Sequence, residues 1–139
     1  MGRSGYSDDY DGEVSIELYR NAVERAIKGK RGQAFFKQLG EAMDAMPEKV
    51  LIAGELINER GECCAMGVVC KTRGLDVSKV DYDSPEQVGR LLNIAPSLAA
   101  EVAYLNDDDF RCEAKDETPE QRWQRMRKWV QGQMARPAA

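Results

Sequence analysis

Four cysteines are the side chains of this 139-residue chain with the clearest capacity for nucleophilic or metal chemistry. Three of them, Cys63, Cys64 and Cys70, lie close together, and Cys112 is distant. The chain contains no histidine, the usual general base and metal ligand at neutral pH. No two cysteines have C-x-x-C spacing, so a zinc site is not expected, and no histidine is available to activate a thiol. We therefore interpret the cysteines as reduced, small apolar residues of a core.

Short runs of aspartate are the second candidate for chemistry, because carboxylates bind divalent cations. They lie at positions 8, 9 and 11, at 81 and 83, and at 107–109. None has the alternating ligands and central glycine of an EF-hand loop, and solvated turns are the preferred interpretation. The chain also has no phosphate-loop motif. We predict no catalytic, cofactor-binding or metal-binding residues and hence no enzyme; a metal-dependent enzyme that uses these carboxylates is the third-ranked alternative.

The elements that must position these residues are predicted to be helices. Ser84-Pro85 and Thr118-Pro119 are helix starts, each with a glutamine three residues after the cap to close a capping box. They predict helices over 85–93 and 119–134. Apolar spacing predicts further helices over 11–28, 31–46 and 62–74, and from 96 to about 106. Periodicity does not decide whether residues 51–63 form a small β-hairpin or a helical turn.

Together these elements predict a mainly α fold, a compact single-domain bundle of about six helices with one small hairpin near 51–63 as an option. Residues 1–12 are expected to be an irregular arm, 13–134 the helical domain and 135–139 a frayed tail. The formal net charge is −4, and 42% of the residues are hydrophobic, as in globular proteins. No apolar run suits a membrane span or a secretory signal, which predicts a cytoplasmic protein without membrane contact.

Aromatic and arginine residues commonly anchor interfaces, and they indicate where a partner would bind. Five residues are predicted to contact it: Tyr6, Tyr10, Arg122, Arg125 and Trp129. The alternative is a nucleic-acid-binding accessory protein that uses the basic last helix, although the net charge is negative. Residues 86–106 also resemble a helix-turn-helix, but their second helix has no lysine or arginine, so two packed helices are the preferred interpretation.

Several motifs are similar to those of a family of uncharacterised phage and prophage proteins. They are GRSGYSDD at 2–9, GKRGQAF at 29–35, AMDAMPEK at 42–49, ECCAMG at 62–67 and ETPEQR at 117–122. The resemblance covers nearly the whole chain, but it implies no biochemical activity. It implies a non-catalytic interaction protein in the host cytoplasm that binds and modulates a host protein. Inhibition of a host defence system is one such role, and the oligomeric state stays open.

Overall fold

The computed structural model describes residues 12–108 and 117–134, with side chains at 16–107 and 117–134. These ranges contain six α-helices and no β-sheet, so the mainly α prediction is confirmed. None of the described helices is long and apolar enough to cross a membrane. The predicted arm up to residue 11 and the tail 135–139 lie outside the described residues. The helices are α1 (Gly12–Lys28), α2 (Lys30–Asp44), α3 (Ala65–Arg73), α4 (Pro85–Leu92), α5 (Pro96–Asp108) and α6 (Pro119–Met134).

The two predicted helix starts are present, but their capping differs. At α6, Thr118 Oγ1 accepts from the amide of Gln121 at 3.1 Å, and the Gln121 side chain accepts from the amide of Thr118 at 2.9 Å. At α4, Ser84 Oγ accepts from the amide of Gln87 at 3.3 Å, whereas the Gln87 side chain accepts from the amide of Asp81. The second half of the predicted capping box is therefore wrong at α4, because a turn amide outside the helix takes the glutamine.

Helix α5 lies at the centre of the bundle and packs against α1, α3, α4 and α6. Its buried residues include a charged one, Glu101, which is 6% exposed. Arg20 of α1 donates to a Glu101 carboxylate oxygen at 2.8 Å, and the Tyr19 hydroxyl lies 3.5 Å from the other oxygen. A buried carboxylate needs such partners, because leaving it unpaired would cost several kcal/mol. The pairing therefore fixes α1 on α5.

The segment 50–63 contains one antiparallel β-bridge, between Ile57 and Cys63, around a turn. The hairpin considered from the sequence is thus reduced to a single bridge. Close packing of this segment on α3 requires Gly67, because a Cβ there would lie 1.9 Å from the carbonyl oxygen of Leu56. Helix α3 begins later than predicted, since its N-cap is Cys64, and it ends at Gly74 with a left-handed φ of 67°.

Candidate functional site

The described cysteines are free and buried. Cys64 Sγ accepts a hydrogen bond from the Gly67 amide at 3.4 Å at the start of α3. A thiol at a helix N-terminus often has a lowered pKa, but here burial raises the pKa of Cys64 to about 12. Burial also raises the pKa of Cys70 to about 11 and raises that of Cys63. The burial of these three thiols within the hydrophobic core confirms their interpretation as core residues; Cys112 lies outside the described residues.

Asn106, which is 1% exposed, joins three elements near the end of α5. Its Oδ1 accepts from the amide of Ala65 in the first turn of α3 at 3.1 Å. Its Nδ2 donates to the carbonyl oxygen of Ile52 at 2.9 Å and to Asp107 Oδ1 at 2.7 Å. Both the acceptor oxygen and the donor nitrogen of the side-chain amide form hydrogen bonds, so Asn106 holds the segment 50–63 against α5 and α3.

Two of the residues predicted to bind a partner, Arg122 and Arg125, point to the same end of α5. Arg122 Nε donates to the Asn106 carbonyl oxygen at 3.0 Å, and its Nη1 donates to that of Leu51 at 3.3 Å. Arg125 forms a bidentate ion pair with Glu117, at 2.6 and 2.9 Å, and donates to a further α5 carbonyl. The last carbonyls of a helix lack partners within it, and cations stabilise them. These arginines therefore hold α6 against α5, and their contact with a partner stays a prediction.

A third cation of α6, Arg127, pairs with Asp44 of α2 through two hydrogen bonds of 2.8 and 2.9 Å. These bonds lower the pKa of Asp44. Lys128 is exposed. Arg122 also lies 3.4 Å from Glu117, so three of the four cations of α6 are already paired with carboxylates that a nucleic acid would have to displace. A nucleic-acid surface on this helix gains little electrostatic attraction from cations neutralised in this way.

The two tryptophans of α6 are partly buried against the core. Trp129 packs edge-on against Phe36, with ring centroids 5.3 Å apart. Trp123 lies below the Lys49 ammonium group, 5.7 Å from its ring centroid, and its indole nitrogen is buried without a hydrogen-bond partner among the described residues. Neither ring stands away from α6 in the manner of a base-stacking platform.

The helix-turn-helix-like segment corresponds to α4 and α5. A recognition helix must present one face to the major groove, but α5 is covered by four neighbouring helices. Its buried residues are Leu98, Ala99, Ala100, Glu101, Val102, Leu105 and Asn106. The interpretation of this segment as two packed helices is therefore confirmed.

Two described aspartates of the predicted runs, Asp81 and Asp107, accept hydrogen bonds within the fold. Asp107 Oδ2 accepts from the Tyr82 hydroxyl at 2.8 Å, and burial, with the nearby carboxylate, raises the pKa of Tyr82. Asp81 Oδ1 accepts from the amide of Asp83 at 2.9 Å, which shapes a turn. Across 16–107 and 117–134, no group of three cysteine or acidic side chains could hold a metal ion. The aspartates of the predicted runs at 8, 9, 11, 108 and 109 lie outside these ranges.

An open groove of about 630 Å³ lies between α2 and α3, and we call it the α2/α3 groove. Residues between 38 and 50, including the last turns of α2, form one wall. Residues 60–63 and one face of α3 form the other. Five of its lining side chains are apolar and at least partly buried: Ala42, Met46, Val50, Cys63 and Val68. The groove thus exposes an apolar strip between two elements of the bundle.

The rims of the α2/α3 groove carry opposite charges. Glu41 and Glu48 are exposed on the α2 wall, and Arg60 and Lys71 are exposed on the facing wall. Glu62 also lies on the facing wall, and its carboxylate, which accepts a hydrogen bond from the Asn58 side chain at 2.8 Å, offsets one of these two cations. The groove therefore has one edge with two exposed carboxylates and one edge on which two exposed cations outnumber a single, partly buried carboxylate.

Hydrogen bonds within the turn 58–62 fix the shape of the second wall. The Asn58 side-chain oxygen accepts from the amides of Arg60 and Glu62, each at 2.9 Å. Gly61 supplies the positive φ of 79° that closes the turn. Near the other wall, Gln38 of α2 accepts from Arg73 of α3 at 2.8 Å. These bonds belong to the chain itself: they fix the turn 58–62 and join α3 to α2.

A second cavity, of about 470 Å³, lies beside α6. Arg125 and Trp129, two of the predicted partner contacts, line it together with Lys128. Arg122 does not line it, because its side chain is directed to α5 and the segment 50–63. The other two predicted contacts, Tyr6 and Tyr10, lie outside the described residues.

Comparison with models of protein families, with curated proteins and with solved structures finds no match to this chain.

Sequence reasoning missed the α2/α3 groove, because the residues that line it also fit a core pattern. Ala42 and Met46 have the helical spacing of an apolar stripe, which is typical of a covered face. The signal that distinguishes them is the charge at both flanks, namely Glu41 and Glu48 on one side and Arg60 and Lys71 on the other. This pattern is visible only after the fold places residues 60–71 opposite α2.

Proposed function

We propose that this protein is a non-catalytic binding protein that holds a partner protein in the α2/α3 groove. The groove itself carries the proposal: it is apolar at its centre and charged at its rims. Interfaces between proteins have this anatomy, with an apolar centre and a polar rim. Protonation of the described thiols at neutral pH supports a role in binding over nucleophilic chemistry.

A protein segment fits this groove better than a small ligand does. Pockets for small molecules bury most of the ligand surface, whereas this groove is only partly enclosed. The resemblance to phage and prophage proteins supports a bacterial host protein as the partner. A component of a host defence system, inhibited by the bound protein, is the specific role we propose.

The test uses a substitution that fills the groove without disturbing the core. Ala45 lines the groove and is exposed at the end of α2, so Ala45→Arg places a long charged side chain over the apolar strip. Ala53 is also exposed but does not line the groove, so Ala53→Arg is the matched control. Thermal unfolding of both variants establishes that the fold is retained.

Tagged wild-type protein and both variants are used to capture proteins from a lysate of the bacterial host. We expect one host protein to be captured in similar yield by the wild type and by Ala53→Arg. Its yield with Ala45→Arg should be at least tenfold lower. Titration of that purified protein by calorimetry then gives the change in Kd. Equal capture by all three forms, or no capture by the wild type, would overturn the proposal.

A further inference from the structure

We propose that the α2/α3 groove binds an amphipathic α-helix of the partner that carries basic residues along one edge of its apolar face and acidic residues along the other. This inference rests on the proposed function and specifies the chemistry of the partner. Three observations carry it: the volume of the groove, the nature of its walls and the sign of charge on each rim.

The volume fits the buried half of a short helix. An α-helix with its side chains is about 10 Å wide and rises about 1.5 Å per residue. Half of such a cylinder, over about ten residues, occupies roughly 590 Å³. The groove measures about 630 Å³. About three turns of helix would therefore fill it with one apolar face.

The walls favour a helix over an extended peptide. An added strand needs a row of unpaired backbone groups at a sheet edge. One wall consists of the end of α2 and the segment 45–50, and the other consists of a turn and α3; the turn amides of Arg60 and Glu62 already donate to the Asn58 side chain. Helices of the wall present side chains, not backbone groups, and apolar side chains at i, i+3, i+4 and i+7 of an incoming helix pack between them.

The rims specify the charges of the incoming helix. Basic side chains beside Glu41 and Glu48, and acidic side chains beside Arg60 and Lys71, would give attraction on both edges. The Nζ of Lys71 also bonds the Gly61 carbonyl oxygen at 3.1 Å, which holds this ammonium at the rim. A helix with one sign of charge on both edges would meet repulsion on one side. Such charges determine specificity and orientation more than total affinity.

The experiment displays a library of 14-residue helical peptides on yeast. Apolar residues occupy the positions of one face, and each edge position is either lysine or glutamate. Binders are selected on wild-type protein, and peptides that also bind Ala45→Arg are removed. We expect the recovered peptides to carry lysine along one edge and glutamate along the other. Recovery of no groove-dependent peptide, or of peptides without an edge preference, would overturn the inference.

A charge reversal on one rim makes the test sharper. Arg60→Glu makes the second rim less positive. It should leave the fold intact, because the Arg60 side chain forms no hydrogen bond with the described residues. The matched control is Arg90→Glu, on an exposed position of α4 outside the groove. We expect Arg60→Glu to weaken the selected mixed-charge peptides about fivefold and to favour peptides with lysine on both edges, and Arg90→Glu to change neither.

Unchanged peptide affinity in Arg60→Glu would contradict the assignment of the charged edges. The two proposals fail separately. If the host protein is captured in an Ala45-dependent manner but no helical peptide is selected, the groove binds a partner and the inference about its helix is wrong. If peptides are selected but no host protein is captured, the inference that the groove binds a helix of mixed charge is correct and the proposed function is wrong.

Discussion

Removal of the Asn106 side-chain amide should lower the free energy of unfolding by more than the loss of one hydrogen bond. In Asn106→Ala, the buried amide of Ala65 loses its acceptor and the carbonyl oxygen of Ile52 loses its donor. A buried amide without a partner costs about 1–3 kcal/mol, and a lost hydrogen bond to a carbonyl about 1 kcal/mol. The free energy of unfolding should therefore fall by about 2–4 kcal/mol, with Tm lower by about 10 °C.

The assay is urea denaturation followed by circular dichroism, with a control of the same chemistry. Asn21 lies on α1 and is exposed, so Asn21→Ala removes an asparagine that holds no elements together. Alanine has the higher helix propensity, and this control should change stability by less than about 1 kcal/mol in the stabilising direction. A loss below about 0.5 kcal/mol in Asn106→Ala would refute the reasoning that this amide joins three elements.

Asn106→Asp tests the same contacts by pH. Its carboxylate would face the Ile52 carbonyl oxygen and Asp107 Oδ1, both of which need a donor. The pKa of the introduced carboxyl should therefore be higher in the folded than in the unfolded protein. Its stability relative to wild type should be greatest below the ordinary aspartate pKa and fall as pH rises through the raised pKa. A variant whose stability relative to wild type is constant between pH of about 4 and about 8 would contradict this.

Three further predictions concern packing, charge and thiol reactivity. Gly67→Ala should lose at least about 3 kcal/mol of stability or fail to fold, because its Cβ would lie 1.9 Å from a carbonyl oxygen. A urea denaturation curve identical to that of the wild type would disprove the close contact. Asp44→Asn should cost less than about 1 kcal/mol at neutral pH, because the Asp44 side chain is 56% exposed. Arg127 lowers the pKa of Asp44, so the ion pair stabilises the wild type above the ordinary aspartate pKa. This stabilisation should vanish as pH falls through the lowered pKa. A difference in stability between wild type and Asp44→Asn that persists in acid would contradict this prediction. In Cys112→Ser, the remaining thiols should react with a disulfide reagent more than about a hundredfold more slowly in the folded than in the unfolded protein, because burial raises the pKa of groups such as Cys64. Fast labelling of the folded form would show that these thiols are not protected.

Elements defined by local signals were predicted well from the sequence. Helix α6 has the predicted bounds because Thr118 caps it and proline occupies its first position, and both act within one turn. Gly74 ends α3 in the left-handed conformation that its position suggested. Such signals require no knowledge of the rest of the fold.

The segment 50–63 could not be predicted in the same way, because distant residues hold it. The amide of Leu51 donates to the carbonyl oxygen of Pro119, and Ile52 accepts from Asn106. Arg122 reaches the Leu51 carbonyl from 71 positions away. Periodicity contains no information about such partners, so it left this segment undecided between a hairpin and a helical turn.

The candidate site was predictable only in part for a related reason. An arginine on an exposed-looking face is a reasonable interface anchor, but the sequence does not reveal that Arg122 and Arg125 find carbonyls at the end of α5. A groove is a space between elements, and it depends on how α2 and α3 pack. Only that packing places Glu41 and Lys71 on opposite rims of one groove.

The central claim is that the α2/α3 groove is a binding surface, and photo-crosslinking in host cells tests it most directly. A benzoylphenylalanine at position 48, on the rim, is compared with one at position 90, on α4 outside the groove. We predict a crosslink to one host protein from position 48, none from position 90, and loss of the crosslink when Ala45→Arg is added. A crosslink from position 90 alone, or one from position 48 that persists with Ala45→Arg, would contradict the claim.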